Sequence, residues 1–537
     1  PSSFLKYLDY ALISADVADD KRLDARPKVA VIGSGLSGLT AAHLLSGANN
    51  VTIFEANELG GLSGAGVDVY GHTIDIPLRI IGEGYYTYVE KLARSLDVKL
   101  DPIREDYLTQ QNYGDNGPNG EYTSFGYSNS WLGNMISTLP YIFDIYRFHK
   151  NVYNTNNINI KNANKNVNLK GKISTMSETI AETEQAGQKV SPLFNEDDKV
   201  KVMTWAEWME LHGYETDAFR QNVDKKLYSG DYPTKPLSLI MWFIMGQASW
   251  MLSCTYEQVL NYPAKIILQF ILSLGYGGNV ADTIVASGSR SGRMMRIHPS
   301  MKALEYALSY GCHIKYKKRV SGLNTNLVID NEQYDYVVIA TEASAIKYIM
   351  SKEMAPKIFA SVKYQKSSIV LHTDPKLMPK SQKEWKAFNV CQKSEEDMCM
   401  LTAWLNEYYP KLSFPKDVFQ TWNPHERPDD IIKECHFLRV VHTKETPKIL
   451  AKIDKLQGRD HIYYAGAYSM EGMGLLEQAA RSGEKVARLI NLDTKKGNKS
   501  FAKKSMKSNK VSGLKHRHGK KKKTSSRHED ESWTIIS

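Results

Sequence analysis

The stretch that decides the fold is residues 28–55, KVAVIGSGLSGLTAAHLLSGANNVTIFE. A short β-branched run opens it, residues 36–46 carry apolar side chains at helical spacing, and a second β-branched run closes it. Such runs are typical of buried parallel strands. The stretch therefore predicts a strand–turn–helix–strand unit, the building block of a doubly wound α/β sheet.

The turn between the first strand and the helix is rich in glycine, as a phosphate-binding turn must be. Gly33 permits the tight turn, Gly35 lets a pyrophosphate approach the backbone, and Gly38 lets the helix pack closely on the strand. The helix N-terminus adds free N–H groups and a partial positive charge. The predicted phosphate-binding residues are Gly33, Ser34, Gly35, Leu36, Ser37 and Gly38.

An acidic residue and a glycine pair follow the second strand. Glu55 ends that strand, where a carboxylate can accept hydrogen bonds from both ribose hydroxyls of an adenosine. The order of fingerprint, acid and then Gly60-Gly61 resembles that of FAD enzymes of the glutathione-reductase-like group. The resemblance implies FAD as the cofactor. Amine oxidases carry an Arg after the glycine pair, whereas this chain has Leu62 and Ser63 in the predicted cofactor loop.

A second cofactor segment lies near the other end of the chain. Residues 461–488, HIYYAGAYSMEGMGLLEQAARSGEKVAR, resemble the C-terminal FAD motif of flavin amine oxidases. The resemblance implies a helix whose N-terminus faces the flavin, where it would stabilise the anionic reduced ring. The residues it implies at the cofactor are Gly466, Gly474, Leu475 and Leu476, with Val320 beside the adenine and Thr341 beside the pyrophosphate. These two signals are weaker than the others, and the alternative is that the strands carrying Val320 and Thr341 are plain core.

Further segments resemble one branch of that superfamily, the predicted FAD-binding, amine-oxidase-related proteins found beside or fused to cyclopropane-fatty-acid synthases. They are residues 75–98, 364–390 and 419–424, and the likeness spans about 28–490. It implies an α/β fold with a discontinuous Rossmann-like FAD-binding domain and a substrate domain of mixed sheet and helices. The predicted organisation is a polar lead-in (1–25), FAD-binding segments (26–105, 290–345 and 455–494), substrate-domain segments (106–289, with an Asn-rich insertion at 151–169, and 346–454) and a disordered basic tail (495–537).

The predicted function is an FAD-dependent oxidoreductase that transfers a hydride from an apolar or lipid-like substrate to flavin N5, with oxygen or another electron acceptor. The alternatives are a true amine oxidase that releases hydrogen peroxide, a non-redox flavoprotein, and a protein that binds through its tail. Leu475 stands where monoamine oxidases carry a cage Tyr, which weakens the amine alternative. The sequence identifies no catalytic residue, and no His or Cys spacing suggests a metal site.

The distribution of charge along the chain limits the classes of partner that the protein is expected to bind. Of the net charge of +10, residues 495–537 carry +11, so the rest of the chain is nearly neutral. A basic groove for sequence-specific nucleic acid binding is therefore not expected, and the tail is either passive or a contact for anionic membranes. The five Cys form no CxxC pair, which favours a reducing, cytoplasmic compartment, although a chain that begins at Pro1 reveals nothing about targeting.

Two sets of apolar residues leave alternatives open. The uncharged stretch 237–254 is either a buried helix or a segment that dips into a membrane. Tyr85 with Tyr86, and Trp205 with Trp208, either line a pocket or belong to the core.

Overall fold

A computed structural model gives the structure of most, but not all, of the chain. It describes residues 26–82, 84–104, 107–112, 123–127, 147–148, 150–152, 203–214, 216–220, 239–273, 294–393 and 396–512. The predicted lead-in 1–25, residues 153–169 of the Asn-rich insertion and residues 513–537 of the tail lie outside these ranges. Contacts divide the chain into two units, Pro1–Ala487 and Arg488–Ser537.

The elements are numbered along the chain. The strands are β1 (Lys28–Ile32), β2 (Asn50–Phe54), β3 (Val67–Val69), β4 (His72–Ile74), β5 (Ile81–Gly82), β6 (Leu100–Pro102), β7 (Tyr107–Asn112), β8 (Thr123–Tyr127), β9 (Met294–Ile297), β10 (His313–Lys315), β11 (Val328–Ile329), β12 (Glu332–Gln333), β13 (Tyr336–Ile339), β14 (Lys363–His372), β15 (Phe388–Lys393), β16 (Met400–Trp404), β17 (Phe419–Trp422), β18 (Ile431–Val441) and β19 (Ile462–Tyr464). The α-helices are α1 (Leu36–Ser46), α2 (Thr87–Ser95), α3 (Trp205–Leu211), α4 (Leu239–Leu252), α5 (Tyr256–Leu260), α6 (Ala264–Ser273), α7 (Met301–Ser309), α8 (Ile346–Ile349), α9 (Leu405–Tyr408), α10 (Thr446–Asp454) and α11 (Leu476–Ser512).

A five-stranded parallel sheet forms the Rossmann-like half, in the order β10–β2–β1–β13–β19. Its central strand β1 pairs on one side with β2, where Ile32 faces Phe54, and on the other with β13, where Ile32 faces Ile339. The strands fall within the three segments 26–105, 290–345 and 455–494. The predicted α/β class with a parallel, Rossmann-like sheet is confirmed.

A seven-stranded sheet forms the second half, in the order β18–β14–β17–β16–β15–β7–β8. Its strands pair antiparallel, except that β15 and β7 run parallel. The main apolar cluster joins inward residues of this sheet, such as Ile369 and Leu401, to residues of α3–α6, such as Trp205 and Ile267. Sheet and helices therefore bury one another's apolar faces.

The uncharged stretch 237–254 forms helix α4. From Ile244 onward its side chains enter the main apolar cluster, where Met245 is fully buried and Leu252 is nearly so. Within the described ranges, no helix combines the length and the apolar character needed to cross a bilayer. Trp205 and Trp208 are also core residues, since both are fully buried and their rings stack with centroids 4.9 Å apart.

Two local predictions are wrong. The strand predicted over 314–320 ends at Lys315, because Lys317 adopts a left-handed φ of 56° and Lys318 N bonds the carbonyl of Glu55 instead. The tail predicted to be disordered from Lys495 is helical as far as Ser512. Residues 498–512 contain neither Gly nor Pro and hold five Lys, one Ala and one Met, which favour helix.

The Rossmann-like half depends on a close approach between α1 and α11. A Cβ built on Gly483 of α11 would lie 2.2 Å from the carbonyl oxygen of Ser37 and 3.0 Å from the amide nitrogen of Ala41. Such distances leave no room for a side chain. The two helix backbones touch because residue 483 is glycine.

Substitution Gly483→Ala should lower the free energy of unfolding by about 1–3 kcal/mol, because the added methyl must push the two helices apart. Gly47→Ala is the matched control, since Gly47 has a helical φ of −63° and a Cβ there would meet nothing within 4 Å. Urea denaturation measures both. Equal stability of the two variants would show that the helices do not need this contact.

Candidate functional site

The carboxyl ends of four neighbouring parallel strands bring the predicted cofactor residues to one edge of the sheet. Gly33 follows β1, Glu55 follows β2, Thr341 follows β13 and Gly466 follows β19. The ideal Cβ position of Gly33 lies 3.2 Å from Thr341 Cγ2, and that of Gly466 lies 3.4 Å from the carbonyl oxygen of Thr341. Ligands of open parallel sheets bind at this edge.

The glycine-rich turn is closed toward the protein and open on the other side. Gly33 has a φ of 104°, and a Cβ on Gly38 would lie 2.0 Å from the carbonyl oxygen of Gly33. A Cβ on Gly35, in contrast, would meet nothing within 4 Å. Gly35 is also the N-cap of α1, and no side-chain hydrogen bond caps the helix there. The positive end of α1 is therefore available to an anion.

Glu55 braces this turn from the end of β2. It is 4% exposed, and its Oε2 accepts hydrogen bonds from Ser34 N at 3.1 Å and Ser34 Oγ at 2.5 Å. Its Oε1 accepts from the backbone and side-chain nitrogens of Asn57, both at 2.9 Å. Two ribose hydroxyls could bind this carboxylate only by replacing side-chain donors such as Ser34 Oγ and Asn57 Nδ2.

The loop after the glycine pair packs on the same turn. Gly61 N donates to Ser34 Oγ at 2.7 Å, and a Cβ on Gly61 would lie 3.1 Å from Gly35 N. Leu62 is buried, with 4% of its surface exposed. Gly60, Gly61, Leu62 and Ser63 therefore form one wall of the open space beside Gly35.

Glu305 of α7 holds this loop from behind, and the sequence did not reveal it. Its Oε2 accepts from Ser63 N at 2.8 Å, and a Cβ on Gly60 would overlap its carboxylate. Burial raises the pKa of Glu305. Glu305 therefore interacts with both the backbone nitrogen and the side chain of Ser63, and a contact of Ser63 with a pyrophosphate stays a prediction.

The segment 466–476 connects the two sheets. Gly466 N donates to Ser482 Oγ at 2.9 Å, while a Cβ on Gly474 would lie 2.1 Å from Val440 Cγ1 of β18. Leu475 N donates to Gln478 Oε1 at 3.2 Å, and the helix begins at Leu476 rather than at the predicted Leu475. Gly466 thus lies at the edge of the parallel sheet, whereas Gly474, next to Leu475 and Leu476, lies against the seven-stranded sheet.

Two side chains hold the start of α11 in place. The Tyr85 hydroxyl accepts from Met473 N at 3.1 Å and lies 3.0 Å from Gln478 Oε1. The carboxylate of Glu477, 3% exposed, accepts from Tyr88 N at 2.9 Å and Val89 N at 3.1 Å. Glu477 therefore caps the N-terminus of α2, a function that only the tertiary structure reveals.

Val320 was expected to end a strand beside the adenine, and the structure does not place it in a strand. It follows the turn at Lys317 instead of ending a strand, and its side chain, 8% exposed, joins the apolar cluster that contains Phe54 and Tyr334. Its side chain therefore belongs to the core, and a backbone contact with adenine stays a prediction.

The residues at this edge fit a dinucleotide. The uncapped helix end and the free space at Gly35 suit a pyrophosphate, and the carboxylate of Glu55 suits a ribose. Within the described part of the chain, no cluster of three His, Cys, Asp or Glu side chains is placed to hold a metal ion.

Sequence comparison supports the dinucleotide-binding assignment for the first segment. Residues 31–96 match the family profile described as an NAD(P)-binding Rossmann-like domain. A search of curated proteins found no significant match to this chain.

Solved structures similar to this one include two amine oxidases and a fatty acid isomerase. Cyclohexylamine oxidase from Brevibacterium oxydans IH-35A superposes with a TM-score of 0.52 at 12% identity, over 88% of this chain and 100% of its own. Putrescine oxidase bound to putrescine superposes with a TM-score of 0.51 at 12% identity, over 87% and 99%. A CLA-producing fatty acid isomerase from P. acnes reaches 0.52 at 12% identity, over 86% and 98%.

The chain therefore shares the fold of these enzymes, and the edge of its parallel sheet is a candidate dinucleotide site. The predicted resemblance to the flavin amine oxidase superfamily is confirmed at the level of the fold. Since the three enzymes named above carry out different reactions on this fold, the fold alone does not identify the substrate.

Substitution Gly35→Val should lower dinucleotide affinity at least about tenfold and leave the fold intact, because its side chain would enter the open space. Gly38→Ala is the informative contrast, since its methyl would clash inside the protein and destabilise the fold itself. FAD titration and thermal unfolding separate the two effects. Full FAD affinity in Gly35→Val would show that the open space is not a phosphate site.

Substitution Glu55→Gln should destabilise the apoprotein by about 1–3 kcal/mol, because the amide presents a donor where the carboxylate now accepts from Ser34 or Asn57. Ser34→Ala removes one of those donors and serves as the comparison. Urea denaturation without cofactor provides the measurement. Unchanged stability of Glu55→Gln would mean that Glu55 does not brace the turn.

Proposed function

We propose that this protein is an FAD-dependent oxidoreductase that acts on an apolar or lipid-like substrate. The observation that carries the proposal is the open space at Gly35 beside the uncapped N-terminus of α1, with the carboxylate of Glu55 at the adjacent strand end. The amine-oxidase fold that surrounds this edge supports FAD over NAD(P). When bound, FAD would supply the hydride-accepting atom N5, and the protein would position the substrate.

The residues of this chain would divide the binding of FAD between its two sheets. The turn 33–38 would hold the pyrophosphate, Glu55 the adenosine ribose, and the segment 466–476 would approach the flavin. Because Tyr85 and Glu477 anchor the start of α11, the helix end that would face the flavin is held rigidly. A rigid dipole stabilises developing negative charge without reorganising.

An apolar substrate is supported by the surroundings of the second sheet. Its inner face packs against helices α3–α6, whose described side chains are mostly apolar and aromatic. The fatty acid isomerase is an example of this fold in an enzyme that acts on a lipid. Molecular oxygen is the proposed electron acceptor, by analogy with the oxidases of this fold.

Purified protein should be yellow and should release FAD rather than FMN on denaturation, as identified by chromatography. Under anaerobic conditions an apolar substrate should bleach the bound flavin, whereas putrescine and cyclohexylamine should not. Gly35→Val serves as the control without cofactor. Folded protein that cannot be reconstituted with FAD would refute the proposal, and bleaching by amines alone would establish the amine-oxidase alternative.

A further inference from the structure

Two arginine side chains, Arg79 and Arg439, lie near the candidate cofactor site. Arg79 lies between β4 and β5, and its hydrogen bond goes to the carbonyl oxygen of Leu62, at 3.4 Å. Arg439 lies in β18, and its buried Nε has no hydrogen-bond partner. Neither guanidinium forms an ion pair with a carboxylate in the described parts of the chain. A partly buried charge without a partner lowers the free energy of unfolding. A bound anion would recover that loss, so these arginines are candidates for an anion site.

Burial disfavours the charge of both guanidiniums, and the charge of Arg439 adds to this effect at Arg79. Burial, and then the positive charge of Arg439, lowers the pKa of Arg79 to about 10. Burial also lowers the pKa of Arg439. Asp75, a nearby carboxylate, accepts hydrogen bonds from Met301 N at 3.0 and 3.1 Å, and burial raises its pKa to about 6. With a pKa of about 6, Asp75 is ionised at neutral pH and offsets part of the charge of Arg79 through space. The two arginines and Asp75 together keep a net positive charge that a bound anion would neutralise.

The pair lies between the cofactor loop and the apolar half of the molecule. Arg79 contacts Leu62 of the loop, and Tyr86 is within electrostatic range of both guanidiniums. On β18, alternation places Arg439 on the same face as Phe437 and Val441, which belong to or pack against the main apolar cluster. An anion held here would have the candidate flavin site on one side and apolar side chains on the other.

We propose that Arg79 and Arg439 bind the carboxylate of an apolar, fatty-acid-like substrate. The inference rests on the proposed function, because it places that carboxylate beside the candidate flavin site. Two guanidiniums provide the planar donors that a carboxylate matches best. The same charges repel an ammonium group, so they select against amine substrates.

A phosphate of the cofactor is the other source of negative charge that this pair could meet. The helix end at Gly35 already offers the pyrophosphate a site on the parallel sheet. Arg439 belongs to the opposite, seven-stranded sheet and lies among apolar side chains, which suits a substrate head group. If the pair binds a substrate carboxylate, removing the arginines should weaken substrate binding. If it binds a phosphate of the cofactor, removing them should weaken FAD binding.

The first test compares decanoate with decanamide, which has the same chain and a neutral head group. Isothermal titration calorimetry on the flavin-loaded protein should show that decanoate binds about 10–100-fold more tightly. Equal affinity for the two compounds would overturn the proposal, whatever the variants do. The comparison can be repeated on protein without flavin, so a failure to bind FAD would refute the proposed function and still leave this inference tested.

The second test removes the charge. Arg439→Gln and Arg79→Gln should each lose most of the preference for decanoate, while decanamide affinity stays unchanged. Arg439→Lys should retain part of that preference. Arg427→Gln is the matched control, because Arg427 is exposed and already paired with Glu434 at 2.6 Å. Without ligand, Arg439→Gln should unfold at the same temperature as the wild type or a higher one, because the repulsion between the two arginines is relieved.

The remaining outcomes also decide the matter. If the glutamine variants lose FAD but bind decanoate normally, the pair serves the cofactor and the carboxylate assignment is wrong. If Arg439→Gln unfolds at a lower temperature and keeps its preference for decanoate, the arginine is structural. If it does not fold, the wild-type comparison and Arg79→Gln carry the test.

Discussion

The Rossmann-like half of the molecule depends on backbone contacts that only glycine permits. Gly38 lies against the carbonyl of Gly33, so α1 sits directly on β1, and Gly483 lies against the carbonyl of Ser37, so α11 sits directly on α1. These contacts stack a strand and two helices whose sequence positions span more than four hundred residues. Without them the segment 466–483 would not reach the turn at residues 33–38, and the edge of the sheet would lack one of its walls.

The second half is attached through a buried amide. Gln420 of β17 is fully buried, donates to the carbonyl of Asp75 at 3.0 Å and accepts from Leu78 N at 2.9 Å. The Asp75 carboxylate is held in turn by Met301 N. The segment 75–79 is therefore fixed by the seven-stranded sheet and by helix α7, and it places Arg79 beside Leu62 of the cofactor loop. The amide of Gln420 holds this segment in position without adding a charge. The segment already contains the charged side chains of Asp75 and Arg79.

The electrostatic potential of the site depends on where the charged groups lie in the fold, more than on the net charge of the chain. The chain outside the tail is nearly neutral, yet the candidate site combines an uncapped helix end with two guanidiniums that form no ion pair among the described residues. The acids closest to it are already used: Glu55 holds Ser34 and Asn57, Glu305 holds Ser63, and Glu477 caps α2. Under the proposal for Arg79 and Arg439, this arrangement favours an anionic substrate over an amine.

The sequence by itself determined the unit β1–α1–β2 and the turn that follows β1. These depend on side-chain periodicity and on backbone sterics within a few residues, and Gly33 and Gly38 have the positions that the pattern predicts. It also pointed to the second cofactor segment, whereas for α4 it left a buried helix and a membrane-dipping segment as alternatives. Glu305, Glu477 and Arg439 carried no such signal, because each acts on residues far away along the chain. The turn at Lys317, which takes Val320 out of the sheet, escaped notice because nothing in a strand-like run marks a left-handed residue.

Only the tertiary structure decided how the charges are partnered. Glu55 was predicted as a ribose ligand, yet it first braces its own turn, since Ser34 and Asn57 lie within reach once β1 and β2 pair. Arg79 and Arg439 are separated by 360 residues and share one electrostatic environment. Periodicity and glycine patterns report local geometry, whereas the energy of a charge depends on every group that folding brings around it.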